Sequence, residues 1–263
     1  SKYAFGPIID GLFAQSNFGI VTRLGIWFMP RPPTVRSFHF TFPDDGDLGD
    51  IIDLCRPLKM SNFVPTLFRV SNDLYLIGSE VASPSYAESG GTKSISNAER
   101  KALQDQHRLG SWNVSGAFYG PSIEVLEPQI QRICDHFGAS GKARYISHEE
   151  ALESAALSCA ISSFSGEPTT TELGLLKWRP GGGNAWFTPG TPMDGEIANE
   201  FQKIGRDIYE ANGMDYTVMN VCAARFARGL HVIGFNREND EETERARRTY
   251  EQLADAFHAR GIG

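Results

Sequence analysis

Strand-like segments alternate with long amphipathic helices along most of this chain, and this alternation limits the folds open to it. Residues 37–42 alternate polar and aromatic side chains as a half-buried strand does, whereas residues 239–260 place apolar side chains at helical spacing. The strand–helix junctions lack glycine-rich phosphate loops of the Rossmann or P-loop kind. The pattern therefore predicts an α+β fold, with a large, mostly antiparallel sheet covered by helices on one face.

The same patterns predict the individual elements. Strands are expected at residues 37–42, 63–78, 112–119, 142–146, 184–188, 216–223 and 230–236. Helices are expected at residues 44–57, 94–107, 121–138, 148–157, 194–212 and 239–260. A surface loop at 83–94 and a basic turn at 225–228 complete the prediction.

Bulk composition excludes several classes of partner. The formal net charge is -7 over 263 residues, and no lysine- and arginine-rich window suggests a nucleic-acid surface. No stretch of about 18 apolar residues suggests a membrane span. We expect a soluble protein, cytoplasmic or periplasmic. The four cysteines lack metal-ligand spacing, so we expect reduced, mostly buried thiols and no metal site.

Residues 5–30 have the composition of the end of a domain. Glycines at positions 11, 19 and 25 surround two short apolar stretches, with polar Gln15-Ser16-Asn17 between them. Glycine lets a backbone approach a ligand or another strand closely. A stiff connector, Pro30-Arg31-Pro32-Pro33, follows. We interpret this run as the last part of a domain that begins upstream.

The most unusual local composition lies at residues 169–187. Three consecutive glycines stand beside two tryptophans, an arginine and a glutamate. Such a backbone can lie close to a flat ligand, with aromatic walls and a cation nearby. The alternative is a flexible hairpin loop with core tryptophans, and composition alone leaves both open.

Several blocks resemble the vanillyl-alcohol oxidase and 4-cresol methylhydroxylase family, in order and at similar spacing. They are Ser16-Asn17-Phe18-Gly19-Ile20-Val21-Thr22, Trp27-Phe28-Met29-Pro30, Arg56-Pro57-Leu58-Lys59-Met60-Ser61-Asn62, Trp112-Asn113 with Tyr119-Gly120, Glu172-Leu173-Gly174 with Trp178-Arg179-Pro180-Gly181-Gly182-Gly183, Gly213-Met214-Asp215-Tyr216, and Asn236-Arg237 with Glu241-Glu242-Thr243. The resemblance implies that residues 1–30 end an FAD-binding domain. Residues 31–263 would form a substrate-binding cap domain, truncated at its C-terminal end, with the ferredoxin-like repeats of FAD-linked oxidases.

The resemblance also implies roles for individual residues. Contacts to FAD are implied for Ser16, Asn17, Gly19, Ile20, Val21 and Asn184. Glu172 and Arg228 are implied as catalytic, and the substrate pocket would include Trp178, Arg179, Trp186, Met219 and Val232.

Two departures from the family pattern change these expectations. Leu176 and Asn184 stand where relatives carry the tyrosine or histidine that tethers the flavin, so noncovalent FAD is implied. Met219, Arg228 and Val232 stand where the methylhydroxylase has two acids and a histidine, which makes the region more positive and removes candidate bases. Arg228 or Arg225 can meet a carboxylate on a larger phenylpropanoid-like substrate. The alternative is a solvated turn arginine.

The activity implied is oxidation of a para-substituted phenol, by hydride transfer from the benzylic carbon to FAD. The chain ends short of the family's tyrosine–arginine pair that holds the phenolate, so we expect the isolated chain to be inactive and free of FAD. The electron acceptor, oxygen or a cytochrome c, stays open, and a homodimer is implied. The rivals are a flavin enzyme of the same fold with a non-phenolic substrate, and an inactive module for binding or dimerisation.

Overall fold

The computed structural model describes residue 6 and residues 9–262, in two units, Ser1–Arg31 and Pro32–Gly263. Phe5, Pro7 and Ile8 of the first predicted segment and the terminal Gly263 lie outside the described residues. The assignment of residues 1–30 to an FAD-binding domain and of 31–263 to a cap domain stays a prediction.

The first unit has little regular structure of its own. A 3-10 helix, Asp10–Phe13, precedes a segment without helix or strand through residue 31. The described side chains of this unit are exposed, and Ile20 and Trp27 are 92% and 100% exposed. A segment whose apolar side chains are exposed in this way does not form a core of its own.

The second unit is built on an antiparallel sheet. In the part of the chain that the structure describes, the strands are β1 Thr34–Phe42, β2 Phe68–Asn72, β3 Trp112–Gly120, β4 Arg144–Ile146, β5 Gly183–Phe187, β6 Gly190–Pro192, β7 Val218–Cys222 and β8 Phe226–Phe235. Seven of them run in the order β4-β1-β3-β2-β7-β8-β5, and β6 pairs with β8. All pairings are antiparallel. The predicted α+β class with an antiparallel sheet is confirmed.

Helices lie between the strands in sequence. They are α1 Leu48–Met60, α2 Asp73–Ile77, α3 Pro84–Ser89, α4 Asn97–His107, α5 Ile123–Gly138, α6 His148–Leu152, α7 Ala155–Ser165, α8 Gly195–Ala211 and α9 Asp240–His258. No helix of residues 6 and 9–262 has both the length and the apolar character that crossing a bilayer requires. Cys55, Cys159 and Cys222 are buried and Cys134 is half-buried, all as free thiols.

One face of the sheet, the first face, carries the main hydrophobic core. Phe38, Phe40 and Phe42 of β1 point to it, and helices α1, α5, α8 and α9 cover it. Phe40 stacks on Phe137 of α5 with ring centroids 4.6 Å apart. These long helices cover the sheet because their apolar side chains recur at helical spacing.

The opposite, second face carries a smaller apolar cluster and a set of polar side chains. Successive strand residues point to opposite faces, so Ser37 and His39 of β1 lie here. Short helices α2, α6 and α7 cover part of it with Leu74, Ala151 and Leu157. The expectation of helices on one face only is therefore wrong.

Other differences from the predicted elements have local causes. The strand expected at 63–78 ends at Asn72, whose side chain accepts a hydrogen bond from the Tyr75 N–H and begins α2. The loop at 83–94 contains α3, and the helix at 148–157 is divided into α6 and α7. Strand β8 begins at Phe226, so Arg228 lies in a strand and only Arg225 lies in the turn.

Candidate active site on the second face of the sheet

Glu172 lies on a 3-10 helix, Thr171–Lys177, that packs against the end of α2. Gly174 permits this close approach, because a Cβ atom at this position would lie 2.1 Å from the Ser79 carbonyl oxygen. Leu175 of the same segment is buried in the apolar cluster of the second face. The segment therefore holds Glu172 at a fixed place over the sheet.

The Glu172 carboxylate is bound through one of its oxygens. Oε1 accepts a hydrogen bond from the Tyr75 hydroxyl at 2.8 Å and a second one from the Arg69 guanidinium. The side chains of Arg69 and Glu172 are 14% and 30% exposed, so the pair is only partly screened by water. Within the described chain Oε2 makes no hydrogen bond of its own. One carboxylate oxygen is thus fixed, and the other is available to a ligand.

Tyr75 acts in this cluster as a hydrogen-bond donor. Burial raises the pKa of its hydroxyl far above the usual value, and the neighbouring Glu172 carboxylate raises it further. The nearby Cys159 thiol also has a raised pKa, first from burial and then from Glu172. Both groups therefore stay protonated at neutral pH and add no negative charge to this cluster.

A row of side chains crosses the second face next to this cluster. Strand pairing places Ser115, Arg69, Val221 and Arg228 in register on β3, β2, β7 and β8. We call these four residues the central row. Neighbouring strands are about 4.8 Å apart, so the Cα atoms of Arg69 and Arg228 are roughly 10 Å apart.

Asn184 and Trp186 lie on the same face but on strand β5. Trp186 is 38% exposed and donates its indole N–H to Asn184 Oδ1 at 2.6 Å. Sheet order separates β5 from β2 by two strands, and no contact joins these two residues to Glu172 in the described chain. Asn184 and Trp186 thus lie on the same face of the sheet as Glu172, as predicted. They do not touch Glu172, so the three residues do not form one contact cluster.

Trp178 and Arg179 are buried and have structural contacts. The Trp178 indole donates to Asp215 at 2.8 Å. Arg179 is 2% exposed and forms ion pairs with Glu242 and Asp215 at 2.8 and 3.2 Å. The cavity beside them, about 10 Å³, is too small for a substrate. The structure places both residues beneath the accessible part of the second face.

The three glycines pack against their own chain. Gly181 has φ +75°, and a Cβ atom there would lie 2.1 Å from Asn236 Oδ1. A Cβ atom at Gly183 would lie 2.7 Å from the ring of Phe235 on β8. The glycine run thus turns the chain into β5, and the expectation that it lies against a flat ligand finds no support in these contacts.

The remaining predicted residues differ in accessibility. Met219 and Val232 are buried in the apolar cluster of the second face, at 4% and 2% exposure. Arg228 is exposed at the end of the central row. The implied FAD contacts Ser16, Asn17, Gly19, Ile20 and Val21 are exposed residues of the first unit, and their role stays a prediction.

Arg69 and Tyr75 were not predicted from the sequence. They lie about 100 residues before Glu172 and reach it through β2 and α2. No local pattern reports such a contact, since only the pairing of β2 in the sheet brings them together. A mid-strand arginine that points to a half-covered face is the one signal available.

Comparisons with known proteins support this assignment of the fold. No family model matches the chain. The 4-cresol dehydrogenase [hydroxylating] flavoprotein subunit of Pseudomonas putida is 32% identical over 262 residues, covering 99% of this chain and 50% of the relative. The 1'-carboxy-chondrochloren decarboxylase of Chondromyces crocatus is 24% identical over 293 residues, covering 99% and 54%. The chain spans about half the length of these curated relatives.

Two solved structures have the same fold. The crystal structure of p-cresol methylhydroxylase with substrate bound matches with a TM-score of 0.92 and 31% identity, over 98% of this chain and 50% of that one. The isoeugenol complex of 4-ethylphenol oxidase from Gulosibacter chungangensis matches with a TM-score of 0.91 and 24% identity, over 99% and 50%. The predicted resemblance to the vanillyl-alcohol oxidase and 4-cresol methylhydroxylase family is confirmed.

Proposed function

We propose that this chain, a homologue of the 4-cresol methylhydroxylase flavoproteins, forms the substrate-binding cap domain of an FAD-dependent oxidoreductase that oxidises para-substituted phenols. The observation that carries the proposal is Glu172, held by Arg69 and Tyr75 on the second face with one carboxylate oxygen available. The similarity to p-cresol methylhydroxylase supports the substrate class.

The residues present fit noncovalent FAD. Leu176 and Asn184 have no nucleophilic side chain, and Asn184 is hydrogen-bonded to Trp186. Trp186 and Leu173 expose apolar surface of the kind that a flat ring system buries, at 38% and 51%. When bound, FAD supplies the acceptor for the hydride lost by the substrate.

Glu172 acts as the base of the reaction. Oxidation of a para-alkyl phenol removes a hydride from the benzylic carbon and a proton from the phenol, which leaves a quinone methide. The phenol proton passes to solvent. Water then adds to the benzylic carbon through its oxygen and gives one proton to the free Oε2 of Glu172, while the phenol oxygen takes a proton back from solvent. The Arg69 guanidinium contacts Oε1 of Glu172, so a positive charge lies directly beside the carboxylate.

Tyr75 and Arg69 are positioning residues in this scheme. Both bind Oε1, so the carboxylate cannot rotate freely and Oε2 keeps one direction. Because Tyr75 stays protonated, it donates to the carboxylate and does not compete with it for the proton of the attacking water.

Partners follow from the same proposal. A small aromatic substrate is the ligand, the electron acceptor is oxygen or a cytochrome c, and the assembly is a homodimer. The rival within the enzyme class is a flavin enzyme of this fold with a non-phenolic substrate, favoured by the loss of two acids at Met219 and Val232. The rival from another class is an inactive module that binds a partner or dimerises.

Spectroscopy of the full-length, flavin-loaded protein tests the proposal. We expect 4-ethylphenol to bleach the flavin absorbance without oxygen, and acid precipitation to release all flavin to the supernatant. Bleaching only by non-phenolic compounds would favour the first rival. Full-length protein without flavin after reconstitution with FAD would favour the second, and flavin that stays on the precipitated polypeptide would contradict noncovalent binding.

A further inference from the structure

Arg228 is an exposed cation without a carboxylate partner. Its guanidinium lies 5.9 Å from the ring centroid of Phe226. None of the ion pairs within residues 6 and 9–262 includes Arg228. An arginine that a protein uses for stability normally meets a carboxylate or a carbonyl oxygen, so Arg228 is free to bind a ligand.

The two arginines of the central row, Arg69 and Arg228, differ in whether a carboxylate balances their charge. The charge of Arg69 is compensated by Glu172, in direct contact. The residues opposite Arg228 on its two neighbouring strands, Val221 and Gly190, carry no charge. The row therefore ends in one uncompensated positive charge, in a protein whose formal net charge is -7.

Apolar side chains lie between the two arginines. Val221 separates them in the central row, and Leu230 follows Arg228 on the same face of β8. Both are half-buried against the apolar cluster of the second face. The surface thus offers a carboxylate base at Glu172, an apolar strip roughly two strand spacings wide, and a guanidinium at the far side.

We propose that Arg228 binds a carboxylate on the para substituent of the substrate, so that the enzyme acts on para-hydroxyphenyl carboxylic acids. This inference rests on the proposed function. The guanidinium offers two parallel N–H groups to a carboxylate, a geometry that lysine cannot provide. Arg225 does not share this role, because it lies in the turn before β8 and outside the central row.

A matched pair of phenols tests the proposal. 3-(4-Hydroxyphenyl)propanoate and 4-propylphenol differ chiefly in the carboxylate, and each is offered to the flavin-loaded full-length protein. We expect kcat/KM for flavin reduction to be about 10- to 100-fold higher for the acid, the range of a hydrogen-bonded ion pair. Arg228→Gln should abolish this preference, and Arg228→Lys should restore part of it. Arg225→Gln, the control for loss of one positive charge, should keep the wild-type preference.

Each other outcome has a definite meaning. Equal kcat/KM for the two phenols, or a preference that survives in Arg228→Gln, overturns the inference and leaves the proposed function standing. Release of flavin from Arg228→Gln, with equal losses for both phenols, assigns the arginine to the cofactor and also overturns it. Flavin reduction by neither phenol overturns the inference together with the proposed function.

Discussion

The two faces of the sheet are made from the same strands and serve different purposes. On β1, Phe38 and Phe40 pack into the aromatic core of the first face, whereas the intervening His39 is hydrogen-bonded to Ser37 and Ser115 on the second face. Long amphipathic helices cover the first face, and short helices cover the second only in part. Because strand side chains alternate, one sheet can combine a dry core with a polar, ligand-accessible surface.

The largest expected effect separates structural from functional arginines. Arg179→Met should lower the free energy of unfolding by about 3–5 kcal/mol, because it leaves the buried carboxylates of Asp215 and Glu242 without their partner. Urea unfolding measures the change. Arg247→Met, which removes exposed ion pairs to Glu244 and Glu251, should leave the free energy of unfolding nearly unchanged. A stable Arg179→Met variant with a raised KM would instead place Arg179 in the substrate pocket.

Removing the charge of Glu172 should affect turnover and leave folding intact. In the full-length enzyme Glu172→Gln should lower turnover by about 10- to 1000-fold, the usual contribution of a positioned acid or base. Steady-state kinetics with 4-ethylphenol measures it. Glu149→Gln is the control, since Glu149 also forms an arginine pair, with Arg36 at another part of the sheet. Wild-type turnover in Glu172→Gln would show that Glu172 is structural.

Two buried histidines, one on each face, should make stability depend on pH. Burial lowers the pKa of His39 and of His231 to about 3, with a smaller contribution from His148 at His39. Unfolded histidines bind protons below about pH 6.5, and the folded ones do not until about pH 3, so stability falls as the pH falls through this window.

The size of this effect can be measured above the range where carboxylates titrate. Between pH 6.5 and 5.0 each histidine should cost roughly 1.5 kcal/mol. Urea unfolding midpoints over this range measure the loss of stability. His39→Gln and His231→Gln should each remove about half of the change in unfolding free energy with pH. An unfolding free energy that is flat over this range would contradict the buried, neutral state of both residues.

The smallest expected effect compares packing on the two faces. Ile133→Val in α5 should cost about 0.5–1.5 kcal/mol, because Ile133 is fully buried in the first-face core. Leu173→Ala should change stability by less than about 0.5 kcal/mol, because Leu173 is 51% exposed beside Glu172. Thermal unfolding of both variants shows which substitution costs more stability. A larger loss of stability for Leu173→Ala than for Ile133→Val would show that this part of the second face is a buried core.

The sequence predicted the long elements of the fold well. Helices expected at 194–212 and 239–260 are observed at Gly195–Ala211 and Asp240–His258. Their apolar residues recur at helical spacing, and Asp194 and Asn239 cap them by accepting from the Ile197 and Glu242 N–H groups. Short α2 was missed although the polar run Ser71-Asn72-Asp73 precedes its apolar residues, because a helix of five residues is too short to show helical spacing.

The candidate site was less predictable than the fold. Glu172 and Arg228 were named from the sequence through the family resemblance, but the partners of Glu172 come from β2 and α2. Trp178 and Arg179 lie six and seven residues after Glu172 and still face the interior, since the 3-10 helix ends at Lys177 and the backbone is already extended at Arg179. Sequence proximity does not fix the direction of a side chain across such a turn.

Hydrogen exchange of the flavin-loaded full-length protein with 4-tert-butylphenol tests most directly whether the second face is the substrate side. This phenol has no hydrogen on its benzylic carbon, so it can bind without losing a hydride. We expect added protection at residues 171–177 and 226–230, and unchanged exchange in α5 and α9 beneath the first face. Protection concentrated in α5 or α9, with none at 171–177, would contradict the account.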